Sequence, residues 1–296
     1  MAIKTWISAM RLRTLPLTLA CIGLAGFLAA SKGSFSMSVF LLSLFTAIFL
    51  QILSNLANDY GDSIHGADSE HRQGPVREVQ AGNISKRSML IAIILFAGLS
   101  LASGIFLLIR SGINSSEFTV FLLIGLCSII AAVLYTNGKL PYGYIGLGDL
   151  SVLIFFGLIG VGASFYLHTR ELDYQILLPA LSCGLMSVAV LNVNNIRDIE
   201  SDLKAGKRSV AARLGRNKAV VYHSIILIVA MLSALVYVLL DFESTKQLLF
   251  LLVLPLVFVN IRAVKNKTDA LQLDPYLKQM ALTTLLFVLL FGYGQL

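Results

Sequence analysis

The chain has 296 residues, 57% of them hydrophobic and 13% charged, about half the charged share of an ordinary soluble domain. Its net charge is +7 and it holds three cysteines, Cys21, Cys127 and Cys183. An odd count with no CxxC pair argues against a disulfide framework or a thiolate metal site. The basic residues are scattered between apolar blocks, so nucleic-acid binding is not expected.

Those blocks run for about 17–25 residues, the length that crosses a bilayer as helix. They are continuously apolar, whereas a membrane β-barrel would alternate. The expected fold is therefore all-α: a polytopic membrane protein, one domain over 1–296, with nine transmembrane helices. The first block, 14–31, has Arg11, Arg13 and Pro16 at its mouth and Trp6 before it, and reads as an uncleaved span with an interfacial anchor. The second, 37–58, runs into Asn55-Leu-Ala-Asn58-Asp59-Tyr-Gly-Asp62 and on to Gly66 and Asp68. The third and fourth, 88–109 and 118–136, are plain apolar stretches. The fifth, 147–168, opens on Asp149, either a helix cap or a ligand contact, and carries Phe155, Phe156 and Tyr166. The sixth, 174–194, runs into a second acidic cluster, Asn194-Asn195-Ile-Arg-Asp198-Ile-Glu-Ser-Asp202, followed by Gly206-Lys207-Arg208. The last three are 218–240, 246–262 (interrupted by Pro255) and 279–294.

Lys and Arg orient this array. With a cytoplasmic N-terminus, nineteen of the 23 fall in cytoplasmic segments, and Lys32, Arg110, Arg170 and Lys246 fall outside. That asymmetry is the positive-inside bias and accounts for most of the net charge. It also puts both acidic clusters at the cytoplasmic edge.

An Asp at membrane depth costs roughly 2.5–3.5 kcal/mol on insertion scales, so a cluster there reads as functional. Asn194, Asp198 and Asp202 lie at i, i+4 and i+8, one helix face over roughly 12 Å. Asn55 with Asp59, and Asn58 with Asp62, repeat the i, i+4 spacing. Gly61 and Gly66 mark a helix end that brings Asp68 in from the loop. Two walls of carboxylate and amide oxygens suit Mg²⁺ bridging a diphosphate. Arg77 and Arg208 are placed to pair with its phosphate oxygens. An allylic cation formed there needs a dry pocket, and aromatic faces such as Phe155, Phe156 and Tyr166 stabilise such charge.

Asn58-Asp59-x-x-Asp62 with Asp68, and Asp198-x-x-x-Asp202 before Gly206-Lys207-Arg208, resemble the two aspartate-rich motifs of the UbiA superfamily of intramembrane prenyltransferases. Arg11–Pro16, Arg72–Gly82, Tyr135-Thr136 and Tyr144–Asp149 extend the likeness, most closely to its 1,4-dihydroxy-2-naphthoate branch in menaquinone biosynthesis. The resemblance implies a helical bundle around a central cavity open to lipid, and Mg²⁺-dependent transfer of a polyprenyl chain from polyprenyl diphosphate to 1,4-dihydroxy-2-naphthoate. CO₂ and diphosphate are lost and a demethylmenaquinone forms. By matched position Asn55, Asn58, Asp59, Asp62, Asp68, Asn195, Asp198 and Asp202 become metal or diphosphate candidates, with Asp59, Asp62, Asp198 and Asp202 catalytic. Arg11, Arg77, Lys139 and Arg208 become diphosphate or acceptor-carboxylate candidates, and Asp149 an acceptor contact. Asn194 and Asn195 stand where many members carry Asp, so the second wall holds less charge. The implied location is the bacterial inner membrane with the site facing the cytoplasm. The rival readings are a sibling enzyme with another acceptor (4-hydroxybenzoate, haem or a chlorophyllide) and a transporter with intramembrane carboxylates. A transporter would place its site nearer the midplane.

Overall fold

The computed structural model describes residues 2–65 and 77–296; Asp68 and Arg72 lie outside them. Among the described residues nine helices are long and apolar enough to cross a membrane, one for each expected block, and no strand occurs. They are Ile3–Ser31, Met37–Ile64, Lys86–Ser111, Ser115–Leu134, Gly148–Thr169, Tyr174–Arg197, Val210–Leu240, Thr245–Asn266 and Ala270–Gly294, called spans one to nine.

Local chemistry sets their ends. Span three starts on Ser85, whose side chain accepts from the Ser88 amide, and stops at Gly112 in the left-handed region, a common helix stop. Span four starts with a capping box between Asn114 and Glu117, satisfying two otherwise orphaned amides. Pro255 does not break span eight. It sits in the first turn of the α-helix Leu254–Asn266, after a 3₁₀ stretch Thr245–Val253, where its missing N–H costs nothing. Span nine begins at Ala270 rather than near 279, capped by the Asp269 side chain, with Pro275 inside it. Hydropathy undercounts this end because Asp274 and Lys278 lie in its first turns.

Span six is the hub. It packs against spans five, seven and nine, and its small residues let neighbours come close. At Gly157 an added Cβ would lie 2.7 Å from the Ala180 carbonyl oxygen and 3.2 Å from Gly184 Cα, so spans five and six cross almost backbone to backbone. Opposite Gly184 the backbone of span five is π-helical, from Leu153 to Ala163, a wide winding often found at functional sites. Spans three and four instead turn Ile91, Ile94, Leu95, Val120, Leu123 and Ile130 outward. Such an apolar belt suits lipid rather than water.

His168 lies away from both acidic clusters. Its Nδ1 accepts from the Ser36 amide at 3.1 Å and its ring stacks on Phe35, a packing role.

Candidate active site

Two spaces that share part of their lining lie within the bundle. The larger, about 380 Å³, is apolar over most of its length, with Leu101, Leu108, Phe155 and Phe156 among its walls. Arg11, Asn55, Asn58, Asp62, Arg77, Asn194, Asn195 and Lys207 line its polar end. The smaller, about 40 Å³, is lined by Arg11, Asp62, Arg77, Asn194, Asp198, Ser201, Asp202 and Lys207. Arg11, Asp62, Arg77, Asn194 and Lys207 belong to both. The two acidic clusters therefore meet, as two walls of one polar chamber at the mouth of an apolar one.

Arg11 reaches the chamber through a break in span one. Its backbone is left-handed (φ 51°, ψ 52°), uncommon for a residue with a Cβ. The break is braced: Thr14 Oγ1 donates to the Arg11 carbonyl at 3.0 Å, and Asn55 Nδ2 donates to the Met10 carbonyl at 2.9 Å and to Thr14 Oγ1 at 3.2 Å. Asn55 thus spends its amide on the backbone that presents Arg11.

On the first wall, Asp62 is buried, accepts from the Tyr144 hydroxyl at 2.9 Å and is ion-paired with Arg77. Asp59, one turn back, has another job. Its two oxygens accept from the Glu78 and Val79 amides, each at 3.1 Å. That contact holds the segment that delivers Arg77, and Asp59 lines neither space. In this structure Asp59 builds the wall. Asn58 lines the larger space while its Oδ1 accepts from Thr136 at 3.2 Å.

The second wall depends on a bend. Residues i and i+1 of a straight helix do not face each other, but the helix breaks at Asp198 (φ −98°, ψ 10°). Arg197 there chelates its neighbour: Nε to Oδ1 and Nη2 to Oδ2, both at 2.8 Å. The i→i+4 backbone bonds continue through the bend, at 3.1 Å from Asp198 N to Asn194 O and 2.8 Å from Asp202 N to Asp198 O. Asn194, Asp198 and Asp202 so keep their common face. The short helix Ile199–Lys204 then closes on Gly206 (φ 73°), with the Gly206 amide on Leu203 O and the Lys207 amide on Asp202 O, the Schellman pattern. This turn folds Lys207 back, its Nζ 3.2 Å from Asp202 Oδ1. Burial raises the Asp202 pKa, partly countered by Lys207. For Lys207 burial opposes the charge, but Asp202, Asp62 and Asp198 outweigh it and lift the pKa above the usual lysine value.

Several expected site residues are not brought in. Arg208 and Lys139 are exposed and line neither space. Lys207 takes the place foreseen for Arg208, whose amide instead donates to the Tyr144 carbonyl at 2.8 Å. Asp149 is buried, and Leu147 rather than Asp149 holds the cap position of span five. Its Oδ2 accepts from the Tyr222 hydroxyl at 2.8 Å, its Oδ1 has no partner among the described residues, and it lines neither space. Tyr166 turns away to donate to Glu117 at 2.6 Å. Tyr144, Arg197, Ser201 and Lys207 are site or supporting residues that the spacing argument did not select. The signal for Lys207 was the preceding Gly at a helix end; for Tyr144 it was only the family likeness of the stretch Tyr144–Asp149.

The family's sequence profile matches residues 19–292 and is that of the UbiA prenyltransferase family. The chain belongs to that family. Among proteins of known role it is 45% identical to the 1,4-dihydroxy-2-naphthoate octaprenyltransferase of Haemophilus influenzae, covering 99% of this chain and 96% of that one. It is 43% identical to the Escherichia coli protein of the same name, covering 97% and 94%. A UbiA homologue from Archaeoglobus fulgidus, solved with DMAPP and Mg²⁺, has the same fold at a TM-score of 0.65 and 16% identity, covering 98% of each chain. The UbiA architecture is thus what the nine spans build.

The donor set can be tested against Mg²⁺. No group of three His, Cys, Asp or Glu close enough to hold a metal occurs among the described residues. Mg²⁺, however, takes one or two carboxylates and completes its shell with water and phosphate oxygens. Asp62, Asp198 and Asp202 with Asn194 and Ser201 offer only hard oxygen donors around one chamber, which fits that habit. Each carboxylate also has a basic partner.

Proposed function

We propose that this protein transfers a polyprenyl group from polyprenyl diphosphate to 1,4-dihydroxy-2-naphthoate, releasing diphosphate and CO₂ and yielding a demethylmenaquinol, the reduced form of demethylmenaquinone. The observation that carries the reading is the near full-length identity to two proteins named for that reaction, in a chain whose acidic walls close on the polar mouth of an apolar cavity. The whole chain acts as one membrane domain, in the bacterial inner membrane with the chamber facing the cytoplasm. The distribution of Lys and Arg supports that orientation.

Asp62, Asp198 and Asp202 would hold Mg²⁺, with Asn58 and Asn195 beside them, and Arg11, Arg77 and Lys207 face the diphosphate. Bound Mg²⁺ neutralises the diphosphate and makes it a better leaving group. The allylic carbon–oxygen bond breaks with its electron pair leaving on the diphosphate. The electron-rich ring then forms the new carbon–carbon bond, and loss of the ring carboxylate as CO₂ returns an electron pair to the ring. Phe155 and Phe156 flank the cavity, where an aromatic face stabilises cationic carbon and water is excluded.

Membranes carrying the protein are incubated with labelled polyprenyl diphosphate and a panel of aromatic acceptors, with and without Mg²⁺. Labelled demethylmenaquinol, recovered as demethylmenaquinone after oxidation in air, with the naphthoate alone and only with Mg²⁺, is the expected result. Product with another acceptor would move the assignment to a sibling enzyme. No product with any acceptor would sink the enzyme reading.

A further inference from the structure

The three chamber acids are paired in two different ways. Asp62 and Asp202 face Arg77 and Lys207, which themselves line the chamber. Asp198 is held by Arg197, which does not line it. Arg197 has further partners: Nη2 donates to Asn194 Oδ1 at 2.8 Å, and Nη1 donates to Asp274 Oδ1 at 2.6 Å. Asp274 belongs to the first turns of span nine, 77 positions away in sequence and outside both aspartate-rich motifs. Its other oxygen is 3.5 Å from Arg13 Nη1, and Arg13 lines the larger cavity.

We propose that Asp274 is a positioning residue for Asp198, acting through Arg197. The Arg197 side chain is 1% exposed, and a buried guanidinium facing one carboxylate would cancel that carboxylate's charge. Asp274, itself 3.5 Å from Arg13 Nη1, shares the Arg197 guanidinium with Asp198, so Arg197 does not cancel the Asp198 charge alone and Asp198 stays attractive to a divalent cation. The second contact also fixes the guanidinium plane, and with it the Asp198 carboxylate plane, because a bidentate pair shares one plane. Lys207 and Arg77 can turn from their acids to a phosphate within the chamber. Arg197 is anchored outside it and cannot.

This inference rests on the metal reading above, and its test separates the two. Mn²⁺ is titrated into the detergent-solubilised full chain with geranyl diphosphate present, and free Mn²⁺ is followed by electron paramagnetic resonance. Asp274→Asn keeps the shape and removes the charge. It should weaken Mn²⁺ binding by about tenfold, the lower end of what loss of an outer-shell partner costs, while Asp274→Glu retains most of the affinity. Asp173→Asn, at the ion pair with Lys32, controls for general loss of a surface acid and should bind like the parent. Turnover of Asp274→Asn should recover at saturating Mn²⁺, whereas a purely structural loss would persist at every metal concentration. Equal Mn²⁺ affinity in parent and Asp274→Asn, or a deficit that saturating Mn²⁺ leaves in place, overturns the proposal. No Mn²⁺ binding by the parent would remove the metal reading and this inference with it.

Discussion

The two acidic walls look alike in composition and are built differently. On the first, one carboxylate, Asp59, is consumed by two backbone amides so that a second, Asp62, can meet an arginine from the following loop. On the second, both Asp198 and Asp202 reach the chamber, and the support comes from side chains: Arg197 within the wall, Asp274 from span nine and Lys207 from a Schellman turn. The first wall is held by main chain and the second by charge. The same residue type at the same helical spacing therefore holds main chain in one place and lines the chamber in the other.

Charge removal within the chamber is the strongest way to break this comparison. Asp62→Asn and Asp198→Asn should each lower prenyl transfer by about 10²–10³-fold, the usual cost of deleting a preorganised charge-stabilising group, with the protein still inserted. Initial rates on purified membranes check it, and retained turnover in either variant would take that residue out of the metal site. Asp59→Asn should act differently. It exchanges a carboxylate for an amide that has one acceptor oxygen, forfeiting a charge-assisted hydrogen bond of about 1.5–3 kcal/mol. Its signature is a raised KM for prenyl diphosphate with unchanged Mn²⁺ affinity, because Arg77 is misplaced and the chamber acids are not. A fall in Mn²⁺ affinity would make Asp59 a ligand after all.

Gly61 tests the main-chain wall again. A Cβ there would lie 2.6 Å from the Thr136 carbonyl oxygen, and backbone cannot yield cheaply. Gly61→Ala should cost about 1–3 kcal/mol, as overpacking does, seen as a lower thermal midpoint in detergent; an unchanged midpoint would mean that the two segments separate easily. The smallest effects sharpen the second wall. Lys207→Gln should lower kcat/KM by about tenfold, a loss of about 1.4 kcal/mol. Arg208→Ala and Lys139→Ala should stay within about 0.5 kcal/mol of the parent, as exposed positions do. Equal losses at 207 and 208 would contradict the inward turn at Gly206.

Much of the fold was legible because hydropathy is a local property. All nine blocks became spans, and the capped ends of spans three and four follow from Ser85, Asn114 and Glu117. Boundaries failed where polar residues sit inside a helix: span nine was started too late because Asp274 and Lys278 read as loop. In the site, i, i+4 spacing correctly placed Asn194, Asp198 and Asp202 on one face. It could not separate Asp59 from Asp62, since helical spacing says nothing about which acid a distant amide will claim. Nor could it choose between Lys207 and Arg208, whose directions are set by one left-handed glycine.

By itself the sequence determined a nine-helix membrane protein with two oxygen-rich clusters beside basic residues, because block length, charge asymmetry and helical period depend only on neighbours along the chain. The tertiary structure decided which charges meet. Arg77 reaches Asp62, Tyr144 joins it from another loop, and Asp274 reaches Arg197 from 77 positions away. Such pairings depend on how helices cross and where loops turn, which local pattern does not encode.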